Sequence, residues 1–476
     1  MDPLIIILIG TVTVLFCIIR LKLHAAVSLL FAALVTALLT SPELIAAYAE
    51  HKGMGAEETQ AMINMSLGKR LAAAFGSTSA KVGILIALAS IIGTALMRSG
   101  GAERIIRALL GLFGKKGSSL ALLSGSFTLA IPVFFDTVFY LMIPLVKSIG
   151  VRSPRKFGLY LMTVIAGGVM AHSLIPPTPG PLFVGEELGI DLGAMIVGGL
   201  VVGSITVCCG YLYALWANKR WDLPMRDTPD ISIKDLQQFS DKKKTQLPSL
   251  GFSLLPVILP LLLITGNTFS TMWLKDTGTP SDFQLQVGKF FSTFGDANMA
   301  LVISSILAMI LLWSRLKDSD QFKKFIFEAL SSAGMIILIT SAGGAFGQML
   351  QQTGIGIRVG ELASNYQMAV LPLAFIITAV VRTAQGSATV AMVTAIGVMS
   401  GLAEANLSFH PVYLALAIGC GSKIFAWMND SAFWIITKMS GMQEKETIKH
   451  FSFLLMVMGV SGLIAVMILS SLFPFV

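Results

Sequence analysis

The stretch Ile175-Pro176-Pro177-Thr178-Pro179-Gly180-Pro181 interrupts an otherwise apolar run, Phe157–Glu187, long enough to cross a bilayer. Its prolines remove backbone donors and clash with preceding carbonyls, so the run predicts a helix broken near its middle. A break at that depth survives only inside protein or beside a water-filled cavity. It exposes N–H groups on one half-helix, which attract anions, and C=O groups on the other, which attract cations. A second interrupted span, Pro411–Thr437, has a polar break at Trp427-Met428-Asn429-Asp430-Ser431.

The rest of the chain fits a membrane setting. Of 476 residues, 55% are hydrophobic and 13% charged, against roughly 25% charged in soluble domains. Runs such as Pro3–Ile19, His24–Leu39, Val82–Met97, Gly251–Leu263 and Phe453–Leu472 approach the roughly 20 apolar residues of a spanning helix. The first continues into Arg20-Leu21-Lys22 and a second apolar run, without a small-residue cleavage site, and reads as a retained span. The net charge of +8 does not signal nucleic acid, because the basic residues cluster between spans. Cys17, Cys208, Cys209 and Cys420 fall inside apolar runs and read as packing residues.

Most of the 34 Lys and Arg fall in one alternating set of gaps: around Arg20, Arg98–Lys116, Lys147–Lys156, Lys219–Lys244, Arg315–Lys324 and Lys438–Lys449. The positive-inside rule makes that side cytoplasmic and puts both termini outside. Residues 117–146 have basic flanks at both ends, and residues 368–399 have base-poor flanks at both ends. Each segment is too short to cross twice and long for one crossing. Each also has a polar or proline-containing midpoint, Ile131–Thr137 and Arg382–Ser387. They predict two re-entrant hairpins, one from each face.

The order of elements repeats: three spans, a hairpin, a broken span and a final span in residues 1–217, and again in 249–476. A polar cytoplasmic linker loop, 218–248, joins them. Five crossings per half is an odd number, so the second half is inverted. The expected fold is an all-α polytopic membrane protein of two inverted repeats. Each repeat has five spans plus one re-entrant hairpin, and discontinuous helices (157–187 and 411–437) meet at the midplane.

At these segments the chain resembles the gluconate:proton symporter family, within a larger superfamily of anion transporters. The resemblance rests on His172 through Pro181, on Arg382 through Val390 with its Gly386-Ser387-Ala388-Thr389 core, and on Asn429-Asp430 with Phe433-Trp434. It implies proton-coupled uptake of small hydroxylated monocarboxylates such as sugar acids, in a bacterial inner membrane. A homodimer in which a transport domain moves against a scaffold is also implied. The chain departs from the family's pattern at Thr178, where His is usual, at Asp136-Thr137-Val138, where Glu-Val-Gly is usual, and at Lys423, where an apolar residue is usual.

Individual residues then take candidate roles. Arg382 is costly in an apolar hairpin, roughly 2.5–3.5 kcal/mol on insertion scales. It reads either as a bidentate clamp on a substrate carboxylate or as a structural partner of Asp136 or Asp430. Asp136 is the first candidate for the coupling proton, since a carboxyl in a low-dielectric site can exchange one as the site opens to either side; the other reading is a hairpin-tip cap. Lys423 and Asp430, two helical turns apart, read as an ion pair on one helix face. In the sharper reading, the ammonium stands where other transporters of the superfamily hold a metal cation, favouring proton over sodium. His172 reads as a proton relay or a hydrogen-bonded packing histidine. Thr137, Ser173, Thr178, Thr383, Gln385, Ser387, Asn429 and Ser431 offer hydroxyl and amide groups to a polyol acid, and Pro177, Gly180 and Gly386 join them as substrate-binding candidates. Glu186 and Glu187 read as solvated, and Gly100-Gly101 and Gly343-Gly344 as close-packing positions.

The expected function is secondary transport of a small organic anion with a proton rather than sodium, by an elevator-type movement. No cofactor, metal, nucleic acid or enzymatic chemistry is expected, and no nucleotide-binding motif is present. The rivals are a cation/proton antiporter and an ion channel. The channel is disfavoured by hairpins entering from opposite faces and by the absence of a filter-like Thr-Val-Gly-Tyr-Gly run.

Overall fold

The computed structural model describes residues 2–114, 117–226, 247–276, 280–354, 369–399, 407–428 and 430–475, and those residues form helices and connecting turns without strands. Among them, seven helical segments are long and apolar enough to cross a membrane. The number is eight if α2 (Ala25–Leu39) and α3 (Pro42–His51), bent by 99°, form one span. Further apolar helices are shorter, including α1 (Pro3–Ile19).

After the short α4 (Ala56–Asn64), two long helices organise the bundle: α5 (Leu67–Arg98), of 32 residues, and α15 (Ser319–Gln351), of 33. At 1.5 Å per residue each reaches about 48 Å, well beyond a hydrocarbon core of roughly 30 Å. Side-chain caps start them, Ser66 accepting from Lys69 N–H and Asp318 from Asp320 and Gln321 N–H. They pack against each other, with α2 and α14 (Ala297–Leu316) alongside. A Cβ at Gly343 would run into Val393 and one at Gly344 into Thr78 Oγ1, so this pair does permit close approach. Gly100 has another role: with φ of 80° it makes the left-handed turn between α5 and α6 (Gly101–Phe113), a conformation that favours glycine.

Each segment expected to form a hairpin holds a helix–turn–helix pair. The first comprises α7 (Ser118–Leu129) and α8 (Phe135–Arg152), extending past the expected end at residue 146. The second comprises α16 (Val370–Gln385) and α17 (Ala388–Val398), joined by Gly386 at φ of 81°. Met368, the expected start of that hairpin, lies outside the described residues, as do 227–246 of the linker.

The first broken span is α9 (Phe157–Leu174) and α10 (Pro179–Glu187). Only Ile175–Thr178 is non-helical: Pro179 and Pro181 sit in the first turn of α10, where no intrahelical N–H bond is lost. The segment from Pro154 to Glu187 is 94% buried over its apolar window, against 28% for the span that includes α15. Protein, not lipid, therefore surrounds this break. Glu186 and Glu187 are half-buried within reach of the Lys81 charge, a correction to their reading as solvated.

The second broken span is α18 (Val412–Gly421) and α19 (Ser431–Ser440). Its break begins earlier than the polar residues suggest. The helix ends at Gly421, and Lys423 lies in the turn that follows, its N–H bonded to Cys420 O at 3.1 Å. Lys423 and Asp430 therefore do not share a helix face, because the helix that would align them has already stopped.

The remaining long helices are α11 (Leu192–Arg220), α12 (Leu250–Asp276) and α21 (Phe453–Leu472), with short α13 (Asp282–Phe294) and α20 (Glu444–Thr447) beside them. Two cross-packings draw the breaks together: α10 lies against α17, and α19 against α8. The four cysteines are free; Cys17 and Cys420 are buried, Cys209 is half-buried and Cys208 is exposed.

Candidate functional site

Where those packings meet lies a cavity of about 290 Å³, near the lower end of the roughly 300–1,000 Å³ usual for small-molecule sites. Four helices begin at its wall: α8 at Phe134, Phe135 and Asp136; α10 at Pro179; α17 at Ser387, Ala388, Thr389 and Val390; and α19 at Asp430, Ser431 and Ala432. Each start carries partial positive charge from backbone N–H groups without an intrahelical acceptor. Sequence alone places two of these starts beside hairpin tips and two beside helix breaks. Packing brings all four to one cavity.

The ionisable groups on the wall are Asp136, His172, Arg382, Lys423 and Asp430. Arg382 is committed to the protein: Nη2 pairs with Asp430 Oδ2 and Nη1 donates to Gly386 O. Of its two readings, the pairing with Asp430 is the arrangement present. Asp430 is also the N-cap of α19, accepting from Ala432 N–H at 2.9 Å. The ion pair thus ties the second hairpin's tip to the second break. Both partners are nearly fully buried, with side chains 4% and 6% exposed, so the pair is shielded from solvent screening.

Asp136 stands in the first turn of α8 but caps nothing: the N-cap position is Phe134, without a side-chain bond. Among the described residues its carboxylate has no ion pair or side-chain hydrogen bond, and it lies within electrostatic reach of Asp430. Lys423, 3% exposed, lies in electrostatic reach of Arg382, Asp430 and His172, without an ion pair of its own among the described residues. His172 sits edge-on to Phe134, with ring centroids 5.8 Å apart, and its Nδ1 is buried without a hydrogen bond. The hydrogen-bonded packing reading of this histidine therefore lacks a bond at that nitrogen.

The polar candidates divide. Ser387 and Ser431 line the cavity; Ser387 also caps α17 by accepting from Val390 N–H at 3.3 Å. Thr137, Ser173, Thr383, Gln385 and Gly386 lie off its wall. The Thr383 hydroxyl bonds Ala379 O, and its carbonyl accepts from Trp427 Nε1 at 3.0 Å. Ser173 Oγ and Gln385 Oε1 are buried without partners. Pro177 and Thr178 flank a smaller void against Pro132 and Phe134, bracing the first hairpin's tip, while Thr178 Oγ1 bonds Ile175 O at 2.6 Å. A Cβ at Gly180 would come within 2.8 Å of Met392 Sδ, so this glycine sets the approach of α10 to α17. Asn429 lies outside the described residues.

Several wall residues were not singled out from sequence. Thr389 could have been, since it follows Ser387 in the same helix start. Ile336 and Ile339 of α15 could not, because their spacing within an apolar helix is the same whether the face meets lipid or a cavity.

The sequence profile of the GntP family permease matches residues 2–472. A gluconate permease of Pseudomonas aeruginosa is 32% identical over 83% of this chain and 86% of its own length. An uncharacterized permease of Haemophilus influenzae is 31% identical over 93% and 86%. A high-affinity gluconate transporter of Escherichia coli is 28% identical over 95% of both chains. Among solved structures, the Alcanivorax borkumensis YdaH transporter superposes with a TM-score of 0.57 at 14% identity, over 86% of this chain and 89% of that one, a likeness of fold. A profile match along nearly the whole chain, carried by a multispan helical fold, decides the matter: this protein belongs to the GntP family of permeases and is a membrane transporter, not an enzyme.

Proposed function

We propose that this chain is a secondary active transporter that moves a small hydroxylated monocarboxylate, such as gluconate, together with a proton. The observation that carries this reading is the meeting of four helix N-termini at one cavity, an arrangement suited to an anion. The hydroxyls of Ser387, Thr389 and Ser431 suit a polyol chain. The relatives named for gluconate favour the same class.

Asp136 is the proton carrier in this reading, because it faces the cavity without a fixed cationic partner among the described residues. A neutral Asp136 admits an anion that a charged one repels, which couples the two fluxes. The paired hairpins and broken spans support two inverted repeats, residues 1–217 and 249–476, with the hairpins re-entering from opposite faces. An elevator-type movement of the hairpin-bearing helices against α5 and α15, in a homodimer, completes the mechanism. The distribution of the basic loops supports an inner-membrane protein with both termini outside the cytoplasm.

The test is uptake by proteoliposomes of a panel of sugar acids and small hydroxy acids under imposed proton or sodium gradients. Accumulation driven by inward protons alone supports the reading. Cation movement without any organic substrate would replace it with an antiporter.

A further inference from the structure

We infer that Lys423 holds the carboxylate of the transported anion, leaving Arg382 as the clamp that fixes the second hairpin to the second break. The inference rests on the reading of the cavity as an anion site and names the side chain that receives the charge.

Arg382 cannot easily serve. Both terminal nitrogens are engaged by Gly386 O and Asp430, and Nε is buried without reaching a partner. Releasing the guanidinium for substrate would strand Asp430, which is itself 4% exposed. Lys423 is in the opposite situation. It is 3% exposed, it lines the cavity, and among the described residues its ammonium has neither an ion pair nor a hydrogen bond. A buried charge without a partner is costly, and a bound carboxylate supplies the missing partner.

The charges on the wall lead to the same assignment. Arg382 and Asp430 cancel, leaving Lys423 and Asp136, with His172 able to remain neutral. With a proton on Asp136, the cavity carries one net positive charge and accepts one carboxylate. Without it, Asp136 offers Lys423 a competing negative charge inside the same cavity. The preferred substrate therefore carries a single negative charge: a dicarboxylate brings one charge too many, and a neutral polyol leaves the ammonium unpaired.

The test compares wild type with Lys423→Met and Lys423→Arg in proteoliposomes, using labelled gluconate and thermal unfolding in detergent. Lys423→Met should raise KM at least tenfold with little change in Vmax or unfolding midpoint, and Lys423→Arg should recover part of the loss. As a second route, Lys423→Cys should regain uptake when 2-aminoethyl methanethiosulfonate attaches an ammonium, and not when the neutral methyl reagent is used. Treated wild type reports any effect at the native cysteines. A KM within twofold of wild type in Lys423→Met, or rescue by both reagents, would overturn the Lys423 assignment while leaving transport intact. Wild-type vesicles that take up none of the acids would overturn the transport reading itself.

Discussion

Arg382, four residues before the left-handed Gly386, is ion-paired with Asp430, the cap of the half-helix α19. One guanidinium therefore joins a hairpin tip to a helix break, and both ends of the joint are removed from solvent. Breaking such a pair leaves an uncompensated buried charge. Arg382→Ala and Asp430→Ala should each destabilise by about 3–5 kcal/mol, and the double variant by less than their sum. Chemical denaturation in detergent provides the cycle; additive losses would mean the pair is not coupled.

Asp136 should behave differently. Among the described residues it has no partner to strand, so Asp136→Asn should fold normally, retain gluconate counterflow, and lose proton-driven accumulation at least tenfold. Wild-type uptake should fall as external pH rises, since the carrier must be protonated to load, and Asp136→Asn should flatten that dependence. A variant that still accumulates substrate against a gradient would remove Asp136 from the coupling role.

The close approach of α15 to α17 gives a packing prediction. Gly343 faces Val393 with no room for a side chain, whereas Gly334 on the same helix has nothing within 4 Å. Gly343→Ala should cost roughly 1–3 kcal/mol through overpacking. Gly334→Ala should be neutral, or stabilise by about 0.4–1 kcal/mol by restricting the unfolded chain. Unfolding midpoints of the two variants separate the cases.

At the start of α15, backbone N–H groups of Gln321 and Asp320 hold the Asp318 carboxyl below its usual range. A lowered carboxyl stabilises the cap above the ordinary pKa of about 3.9, and the benefit is lost as pH falls through the lower folded value. Amide exchange at Asp320 and Gln321 should therefore quicken on acidification. Asp318→Asn should keep the cap without this pH dependence, and Asp318→Ala should fray the turn at every pH.

The features legible in the sequence were those that violate a local rule. Prolines at 176, 177, 179 and 181 and polar residues near Arg382 and Asp430 stand out in apolar runs, and the helices are interrupted at or near those positions. Boundaries were less legible. The polar run Trp427–Ser431 suggests the second break, yet α18 already stops at Gly421, just before Ser422 and Lys423. That shift moves Lys423 from a helix face into the turn. Partnership was open as well: Arg382 had two carboxylates as candidates, and only packing selects Asp430 over Asp136. Ile336 and Ile339 were invisible because lipid and cavity impose the same apolar pattern on a helix.

The central claim is that anion and proton cross together. The most direct measurement is luminal pH in proteoliposomes loaded with a pH-sensitive dye, after gluconate is added outside without any imposed proton gradient. The account predicts luminal acidification that follows gluconate entry, saturates with it, and disappears in Asp136→Asn. Gluconate entry with no change in luminal pH, in vesicles shown to be proton-tight, would contradict it.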